Sequence, residues 1–591
     1  MRNRLLFGAC AVAALALPAL AQNQVQPAPQ PTTPTPTPAV QTPSPRPAVS
    51  GRPSVVSAPG AGESETGVTE LTRLDLPTPP PPVEIPAHAR RDPWTVGRLD
   101  PVELGLGVNP WGEASGAFVS TLMRRMDTPV ASRWAHMALR NALLAKVRAP
   151  RNVNPVDWVA ERAWLLLRLG EADAARMLVS GVDVDKFTPK MFQVAVQSAL
   201  ANADPAGLCP LEDGLRKVEP MVQPLIQAIC ASLSGEPESA AAQIDSARRR
   251  GRIGGIDLVL AEKVVGAGTD TGRAVTVEWE PVERLNAWRF GLATATGAVP
   301  PANLVRAASP QLRAWQARAP LLSPQQRLES ARIATGLGVF SSQALVDIYS
   351  AIYDATDPSD LSETDAWRLR LAFLGRDRDT RISAMRRLWD LGEGSLQTEA
   401  SRALLARAAT RVQPDAELQE VAPSLIASML AGGYDREAAR WVNAVRQMDE
   451  QYADECWAML ALAAPSTNRL DLSFGRINSF ISRDESPGKA RSGLLVGALA
   501  GLGRIDADAA DRLNGRHGLG IERRTRWTRL IDRSAALGQS GSVLVLVGTG
   551  LQTQSFEEVP ASHMYHATAA LKRTGQDFTA RMIAAEALAR T

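Results

Sequence analysis

The sequence predicts an all-α chain, an α-solenoid of stacked helical hairpins preceded by a disordered proline- and threonine-rich segment. Apolar residues recur at the spacing of amphipathic helices over most of the chain. The breaks between these stretches are short and carry Gly, Pro, Asp or Ser, the residues that end and begin helices. Hydrophobic residues make up 45% of the 591 residues and charged residues 21%, which is enough apolar surface for a large core.

The first 21 residues have the pattern of a secretory signal peptide. Arg2 and Arg4 precede an apolar run, and Ala19-Leu20-Ala21 forms a small-x-small site for cleavage before Gln22. We therefore expect an exported, periplasmic protein with no integral membrane span after cleavage. The apolar run is shorter than the roughly 20 residues that cross a bilayer. An uncleaved signal anchor that tethers the chain to the inner membrane stays the alternative.

Residues 22–93 have the composition of a disordered linker. They hold 18 of the 42 prolines, interleaved with Thr, Ser, Ala and Gln, as in Pro34-Thr35-Pro36-Thr37-Pro38 and Pro79-Pro80-Pro81-Pro82. Such a stretch buries too little apolar surface to offset its ordering entropy, and proline favours extended polyproline II geometry. A spacer is the simplest interpretation. A stalk that is glycosylated, or that a proline-binding partner recognises, is the alternative.

Residues 94–591 are predicted to form the helical part, and a subdivision near residues 269–301 is compatible with the pattern. Trp134 to Val147 and Val156 to Leu169 open the series of periodic stretches. Further helices are predicted at 188–202, 221–233, 323–338, 340–353, 365–375, 400–410, 421–431, 437–447, 455–464, 489–502 and 567–590. Only residues 274–279 alternate as a strand does, and one short strand cannot make a sheet.

Four of the turns between these helices share a glycine that is followed by an alanine five residues later. The glycine supplies a left-handed helix cap, and the alanine lets the two helices approach closely. The pairs are Gly170 and Ala175, Gly235 and Ala240, Gly433 and Ala438, and Gly575 and Ala580. Gly503 and Ala509 make a related turn that is displaced by one residue. The pattern predicts helical hairpins.

These turns resemble those between the paired helices of tetratricopeptide repeats, where a glycine and a later small residue meet the same packing need. The intervals are near twice the 34-residue repeat: 65 residues from Gly170 to Gly235, 70 from Gly433 to Gly503, and 72 from Gly503 to Gly575. We interpret the chain as a degenerate tetratricopeptide-like α-solenoid whose alternate hairpins have lost the signature.

The whole chain also resembles a group of uncharacterised exported bacterial proteins with the same layout. Some of these carry the label "antifreeze glycopeptide polyprotein". The label is best explained by the tract rich in Ala, Thr and Pro, and it does not predict ice binding. The resemblance supplies no catalytic residues.

Three cysteines follow the signal peptide. Cys209 and Cys230 are disulfide candidates in an oxidising compartment, and two separately buried thiols are the alternative. Cys456 is expected to be a small buried apolar residue and not a nucleophile. The absence of any Cys-x-x-Cys motif argues against a redox site or a zinc ribbon.

Serine–lysine patterns typical of penicillin-recognising enzymes occur in the chain but in the wrong order. Ser486-Pro487-Gly488-Lys489 follows Ser466-Thr467-Asn468, whereas those enzymes place Ser-x-x-Lys first, and Arg573-Thr574-Gly575 only approximates Lys-Thr-Gly. The α/β sheet that holds such elements is not predicted. Ser486 before Pro487 is better explained as a helix N-cap.

His563 and His566 are weak candidates for a metal site, because they lie three residues apart with Glu557 and Glu558 just upstream. Zinc would need a third protein ligand, and the spacing matches no established signature. We expect these histidines to belong to the helix after Pro560, with His566 at a hairpin seam. No cofactor is predicted.

Two other patterns have simpler explanations than ligand binding. Residues 266–272 resemble a glycine-rich phosphate loop only by glycine count, because they follow a predicted helix and lack the Lys-Ser/Thr step. The basic runs 248–252 and 523–526 are interpreted as solvated helix ends, since cations favour helix C-termini. Anionic glycans or lipid phosphates are their alternative ligands outside the cytoplasm.

Lysozyme-like transglycosylases also join an exported α-solenoid to a catalytic domain. Glu329-Ser330 and Glu485-Ser486 match the catalytic Glu-Ser step, but the segments that follow in those enzymes are missing. The sequence therefore predicts no catalytic residues, and we expect the chain not to be an enzyme.

The first functional hypothesis is a non-catalytic exported scaffold or adaptor that offers an α-solenoid surface to other proteins of the bacterial cell envelope. Trp and Arg side chains are the expected anchors, and Trp94 and Trp111, outside the strong helices, are expected to be exposed or capping. The alternatives are an envelope enzyme or cofactor protein acting on peptidoglycan or another glycan, and a structural cell-wall protein. Peptidoglycan or anionic glycans are further candidate partners. The net charge of +3 gives no reason to expect nucleic acid.

Overall fold

The computed structural model describes residues 86–126, 129–251, 253–269 and 275–591. The predicted signal peptide and residues 22–85 of the predicted linker lie outside the described residues. The last linker residues belong to the folded body, because Arg90 pairs with Asp185 at 3.1 Å and the Arg91 amide donates to Asp183 at 2.9 Å. The fold therefore begins before Trp94.

The described residues are mainly helical, which confirms the all-α prediction. The first helices are α1 (Gly116–Arg125), α2 (Arg133–Leu144), α3 (Pro155–Arg168), α4 (Ala172–Val179), α5 (Pro189–Ala201), α6 (Glu212–Val218), α7 (Gln223–Leu233), α8 (Pro237–Arg250), α9 (Gly255–Gly268), α10 (Ala287–Ala295), α11 (Ala302–Ala307), α12 (Pro310–Ala317), α13 (Pro324–Leu337) and α14 (Ser342–Ala355). The later helices are α15 (Asp365–Leu374), α16 (Arg378–Trp389), α17 (Ser395–Ala409), α18 (Ala422–Ala431), α19 (Asp435–Ala439), α20 (Val442–Val445), α21 (Glu450–Ala463), α22 (Phe474–Arg483), α23 (Ala490–Gly501), α24 (Ala507–His517), α25 (Arg526–Ala536), α26 (Ser540–Gly550), α27 (Ala561–Arg573) and α28 (Asp577–Arg590).

Short elements complete the described chain. Short 3₁₀ segments lie at Ala87–Ala89, Val184–Lys186, Pro205–Leu211, Leu361–Glu363, Ala416–Leu418, Pro487–Lys489 and Phe556–Glu558. Strand β1 (Thr95–Val96) pairs antiparallel with β2 (Val147–Arg148), with Thr95 opposite Arg148. Residues 275–279 of the alternating stretch form no strand.

The glycine-containing turns have the geometry expected of helix hairpins. The five glycines adopt left-handed φ angles between 62° and 88°. In each turn the amide after the glycine bonds back to the helix, as from Glu171 to the carbonyl of Leu166 at 2.8 Å. Ala175, Ala240, Ala438 and Ala580 are fully buried. At the displaced turn the buried small residue is Ala510, one position beyond Ala509.

Two further turns of the same type lie inside the doubled intervals. Ala203 has a φ of 52°, and the next amide bonds to the carbonyl of Ala199 at 3.0 Å. Gly538 has a φ of 67°, and the next amide bonds to the carbonyl of Ser534 at 3.0 Å. Both turns have the same bonding, although Ala203 stands where the four signature turns have glycine and Val543 stands five residues after Gly538, where they have alanine.

Five helices between residues 155 and 295 start at regular intervals. α3, α5, α7, α9 and α10 begin at residues 155, 189, 223, 255 and 287, so successive starts are 34, 34, 32 and 32 residues apart. α10 packs against both α9 and α5, which closes this group of helices around a core of its own. The buried residues of this second core lie between Ala195 and Ala293.

The main core joins the first helices to the last ones. α1 and α2 pack against α26, and α2 also packs against α28. All nine residues from Ala580 to Leu588 in α28 are buried, because α2, α18, α21, α23 and α27 all contact this helix. The last described helices therefore pack against the first ones.

Buried charges fasten α2 to α28. The Glu586 carboxylate accepts hydrogen bonds from the Ser132 hydroxyl at 2.6 Å and from the Arg133 amide at 2.9 Å. Arg590 donates to Glu586 at 2.7 Å and to the carbonyl of Ala131 at 2.6 Å. An anion at the N-terminus of α2 satisfies amides that the helix itself leaves without partners.

None of the helices in the described ranges is both long enough and apolar enough to cross a membrane.

Candidate functional site

An open groove between α20, α21 and α22 combines apolar and charged side chains in a volume of about 450 Å³. We call it the Trp457 groove. Its apolar lining is Val442, Val445, Met448, Ala453, Trp457, Leu460 and Leu470. Its polar lining is Arg446, Glu450, Asp454, Arg469, Asp471, Arg476, Ser479 and Arg483. Most of the apolar side chains are buried and form the floor, whereas Arg446, Glu450 and Arg469 are exposed at the rim.

The connection between α21 and α22 sets the geometry of the groove. α21 ends at Ala463, two residues before Pro465, which cannot supply a helical amide. The Asp471 carboxylate accepts from the Ser473 amide at 2.9 Å, and the Ser473 hydroxyl caps α22 by accepting from the Arg476 amide at 3.3 Å. These local bonds start α22 where its arginines face α21.

Trp457 is held from three sides. Its indole Nε1 donates to the carbonyl of Asp471 at 3.0 Å. The ring lies 5.6 Å from that of Phe480, and the Arg476 guanidinium lies 4.1 Å from the ring centre. A cation over an indole face is attracted by the ring quadrupole, so the floor of the groove is preformed.

Asp454 clamps α22 onto α21. It pairs with Arg476 at 2.7 Å and accepts from the Nε and Nη2 atoms of Arg483 at 2.8 and 2.9 Å. Burial alone would raise the pKa of Asp454, but the hydrogen bonds from Arg483 and Arg476 outweigh it and hold the pKa below its ordinary value. The carboxylate is ionised and doubly paired, so it is a positioning group and not a free base.

Arg446 and Arg469 provide the free charge of the rim. The Arg446 side chain donates to the backbone carbonyl of Arg469, which fixes its direction. Within the described part of the chain neither guanidinium forms an ion pair, and both are exposed. Exposed arginines beside an apolar floor can bind a protein segment that presents an apolar side chain next to a carboxylate.

A second, acidic groove of about 910 Å³ shares Glu450, Asp454 and Arg483 with the first. Its other carboxylates come from Asp449, Glu455, Asp484, Glu485 and Glu557. Glu485 is exposed in this groove, whereas Glu329 is exposed on α13 and pairs with Arg313 at 2.9 Å. The two Glu-Ser steps therefore lie in separate places.

The Ser-x-x-Lys pattern is structural. The Ser486 hydroxyl accepts from the Arg491 amide at 3.0 Å. Lys489 directs its ammonium to the carbonyls of Ile481 at 2.6 Å and Asp484 at 3.3 Å, at the end of α22. The hydroxyl of Ser466 accepts from the Asn468 amide in the preceding loop. These groups cap helices and turns.

His563 and His566 face different partners. The His563 Nδ1 donates to the carbonyl of Gly550 at 3.2 Å, and its ring lies 4.2 Å from that of Trp527. The His566 Nδ1 lies 2.7 Å from the Asp532 carboxylate. Burial lowers the pKa of His563 and outweighs the Gly550 bond. In the described ranges, no three His, Cys, Asp or Glu side chains are grouped to hold a metal ion.

The candidate cysteine pair lies in the second core. Cys209 and Cys230 are joined by a disulfide with their Cα atoms 5.5 Å apart, and it links the 3₁₀ segment Pro205–Leu211 to α7. Cys456 is a buried free thiol next to Trp457 in the chain. Burial raises the pKa of the Cys456 thiol far above its ordinary value, which suppresses the reactive thiolate.

The basic runs occupy opposite ends of their helices. Arg248 to Arg250 end α8, as expected, and Arg252 lies outside the described residues. Residues 523–526 instead lead into α25, with Thr525 as its N-cap, so the interpretation as a helix C-terminus was wrong there. Arg524 offsets the unfavourable position by pairing with Asp532 at 3.2 Å.

One of the two tryptophans proposed for an exposed role is in the core. Trp94 is 41% exposed, with Arg148 stacked 5.4 Å from its ring centre. Trp111 is fully buried and packs edge-on against Trp158 at 5.0 Å, so its predicted exposure was wrong. The loop that carries Trp111 is covered because it packs on α26, where the Gly541 amide bonds to the carbonyl of Pro110 at 2.8 Å.

The sequence reasoning did not single out the arginines of the Trp457 groove. Arg469, Arg476 and Arg483 are spaced seven residues apart, a signal that places the last two on one face of α22. The spacing alone does not show that Trp457 of another helix lies beneath them.

Comparison of the chain with protein-family models, with curated proteins and with solved structures finds no match. The groove and the sequence pattern are therefore the features that point to a function.

Proposed function

We propose that this chain is a non-catalytic scaffold or adaptor of the bacterial cell envelope that binds a partner protein in the Trp457 groove. The observation that carries the proposal is the combination of a fixed tryptophan and an aliphatic floor with two exposed arginines that form no ion pair among the described residues. Trp and Arg are enriched among the residues that dominate protein–protein binding energy. Export is supported by the signal-peptide pattern of residues 1–21.

The groove favours binding over chemistry. Its most buried carboxylate, Asp454, is paired with Arg476 and Arg483 and has a lowered pKa, which makes it a poor proton acceptor. The lining holds no cysteine or histidine. Arg446 and Arg469 are instead free to bind a carboxylate of a partner segment whose apolar side chain enters the floor.

A resemblance of the helical hairpins to tetratricopeptide repeats is also part of the proposal. It is supported by the helix starts spaced 32 to 34 residues apart and by the repeated glycine turns. In such arrays the helical hairpins serve as a binding framework and not as a catalytic one. We place the scaffold in the periplasm, with tethering by an uncleaved signal as the alternative.

The test is a crosslinking pull-down from intact cells that compares the natural chain with the double variant Arg446→Glu/Arg469→Glu. We expect at least one envelope protein to be recovered with the natural chain and at least about tenfold less of it with the variant, because reversed charges repel the partner carboxylate. Arg249→Glu is the matched control, since Arg249 lies on α8, is also exposed and forms no ion pair with any described residue. Equal recovery with all three chains would refute the groove as the binding site.

An envelope enzyme acting on a glycan is the second candidate, and the position of Glu485 favours it. The exposed Glu485 carboxylate shares the acidic groove with Glu455 and Glu557, and glycoside hydrolysis uses paired carboxylates. Glu485→Gln separates the two proposals. An enzyme would lose turnover of peptidoglycan fragments, whereas a scaffold would keep its partner and show no turnover with either chain.

A further inference from the structure

An exposed leucine surrounded by arginines lies at the turn between α15 and α16. Leu374 is the last residue of α15 and is 63% exposed. It borders a small groove of about 180 Å³ between α14 and α15, in which Tyr349 is buried. A single exposed leucine is common on protein surfaces, so the arginines around it decide what this surface can do.

Two of these arginines lie over aromatic rings beside Leu374. Arg370 precedes the leucine by one turn of α15, and its guanidinium lies 4.9 Å from the Tyr353 ring centre. Arg411, just after α17, donates to the carbonyl of Phe373 at 3.0 Å. Its guanidinium lies 5.8 Å from the Phe373 ring centre. Both arginines are exposed, so their charges face solvent next to the leucine.

Two more arginines come from the start of α16. Arg376 follows Leu374 by two residues and is exposed. The Arg381 side chain lies against Gly375, where an added Cβ would be 2.9 Å from the Arg381 Cγ. Among the described residues, none of the four arginines forms an ion pair. We call Leu374 together with Arg370, Arg376, Arg381 and Arg411 the Leu374 patch.

Helix geometry accounts for only half of this charge. Arg370 and Arg411 lie near the C-terminal ends of α15 and α17, where the helix dipole favours cations. Arg376 and Arg381 lie at the N-terminal end of α16, where the dipole disfavours them. Like charges gathered on one surface also repel each other. The patch is therefore better explained by an anionic ligand than by stability.

Two carboxylates border the patch and do not neutralise it. Asp354 lines the same groove as Arg370 without forming an ion pair within the described ranges. Asp377 is the N-cap of α16 and accepts from the Thr380 amide at 2.7 Å. Four cations against these two anions leave a net positive charge on the surface.

The chemistry of the patch matches an anionic lipid surface. Arginine binds phosphate oxygens, and an exposed leucine between cations can enter the boundary between headgroups and acyl chains. A stable protein interface buries roughly 1,000 Å² or more around a complementary apolar core. Here the exposed apolar part is one side chain beside a small groove. A bilayer needs no complementary core, because its lipids rearrange around the inserted side chain.

We propose that the Leu374 patch binds the surface of an anionic lipid bilayer, with Leu374 in the acyl boundary and the four arginines on lipid phosphates. The patch shares no residue with the Trp457 groove. The proposal therefore stands or falls independently of partner binding in that groove.

The first test is co-sedimentation of the full chain with vesicles made of equal parts phosphatidylglycerol and phosphatidylcholine. We expect binding that weakens as salt is added, and little binding to pure phosphatidylcholine. Each arginine near an anionic surface strengthens binding roughly fivefold. Arg370→Glu/Arg376→Glu should therefore lower the partition coefficient at least about 25-fold.

Arg249→Glu/Arg516→Glu is the matched control, because it changes the net charge equally at two exposed arginines that form no ion pair with any described residue. Its partition coefficient should stay within about twofold of that of the natural chain. No binding to the mixed vesicles, or an equal loss in both double variants, would overturn the proposal. Retention on immobilised polyglutamate without binding to vesicles would also overturn it and would assign the patch to an acidic protein.

The second test does not depend on charge variants. Leu374→Cys carries an NBD fluorophore, and the buried Cys456 does not compete for the label because its thiolate is suppressed. We expect the mixed vesicles to raise the NBD fluorescence and spin-labelled lipids to quench it. The same label at Leu321, which is also 63% exposed, should not respond. An unchanged signal at position 374, or the same response at both positions, would overturn the proposal.

Discussion

Glu586 is the residue on which the junction between the two ends of the fold depends most. It is 5% exposed, accepts from Ser132 and the start of α2, and pairs with Arg590 within α28. Arg133 lies in the same buried cluster and donates to the carbonyls of Thr335 and Ala431 at 2.9 and 2.6 Å. A buried charge of this kind is stable only while each of its partners is present.

Replacing Glu586 by alanine is expected to destabilise the main core by about 3–5 kcal/mol, because it leaves the buried Arg590 guanidinium without its counter-charge and the first amides of α2 without their acceptor. Urea unfolding followed by circular dichroism measures the change. Glu522→Ala is the control, since Glu522 is exposed and has no ion pair in the part of the chain that the structure describes, and its effect should stay within about 0.5 kcal/mol. Equal effects of the two variants would contradict the role of Glu586.

His563 should make stability depend on pH. Burial lowers its pKa in the folded chain, so the unfolded chain binds the proton more readily. The contribution of His563 is therefore fully present above the ordinary histidine pKa of about 6.5 and is lost as the pH falls through the lowered value. Between pH 7.5 and 5, the thermal midpoint of His563→Gln should fall less than that of the natural chain. The midpoint of the control His88→Gln, at an exposed site, should fall as much as that of the natural chain. Parallel curves for all three chains would contradict this.

At the residue scale, the sequence predicted roles that neighbouring residues decide better than contacts with distant parts of the chain. The buried Cys456 and the structural role of Ser486 followed from local rules, since neighbouring residues decide them. Trp111 could not be placed, because it is buried by α26, more than 400 residues later in the chain. The groove arginines were missed for the same reason: their partner, Trp457, lies on another helix.

At the scale of elements, the turns at Ala203 and Gly235 have the same hydrogen bonding, and exchanging alanine and glycine should change stability in opposite directions at the two positions. Ala203 holds a left-handed φ of 52°, which costs an alanine about 1 kcal/mol, so Ala203→Gly should stabilise the chain. Gly235 has a φ of 79° with open space around it, so Gly235→Ala should destabilise by about 1 kcal/mol from strain alone. Thermal midpoints that move in the same direction for both variants would contradict the shared turn geometry.

The disulfide should act on the second core only. Cys209→Ser/Cys230→Ser removes a crosslink that spans 21 residues, which is worth about 3 kcal/mol. Hydrogen exchange followed by mass spectrometry should show faster exchange over residues 187–298, because these helices have a separate core. Exchange in α28 should not change. Faster exchange throughout the chain would show that the two cores unfold as one.

Helices were the most predictable elements. The stretches predicted at 188–202 and 323–338 differ from α5 and α13 by one residue at each end, because proline caps and periodic apolar residues are local signals. The stretch 437–447 is instead broken into α19 and α20. The β1–β2 pair was not predicted, since two-residue strands have no period and form only when distant segments meet.

At the scale of the molecule, closure of the chain is the feature the sequence did not indicate. Period and turn signals describe neighbouring hairpins, and they predict an open array. Whether the last helix returns to the first depends on contacts between residues more than 400 positions apart, such as Ser132 with Glu586. In the sequence, the only sign that α28 is buried on all sides is its run rich in alanine.

The packing of the last helix into the main core also supports the groove of the proposed scaffold. α28 packs against α21, which carries Trp457 and Asp454, so the groove rests on a helix of the main core that is buried from Ala580 to Leu588. A groove on a rigid support loses little entropy when a partner binds. Partner binding is therefore expected to leave the helices in place and to change only side chains at the rim.

The most direct test of the scaffold proposal is photo-crosslinking in living cells from Arg469, replaced by p-benzoylphenylalanine. The account predicts a light-dependent adduct with another envelope protein from this position, and no such adduct from the same substitution at Arg249 on α8. No adduct from position 469, or the same adduct from both positions, would contradict the account.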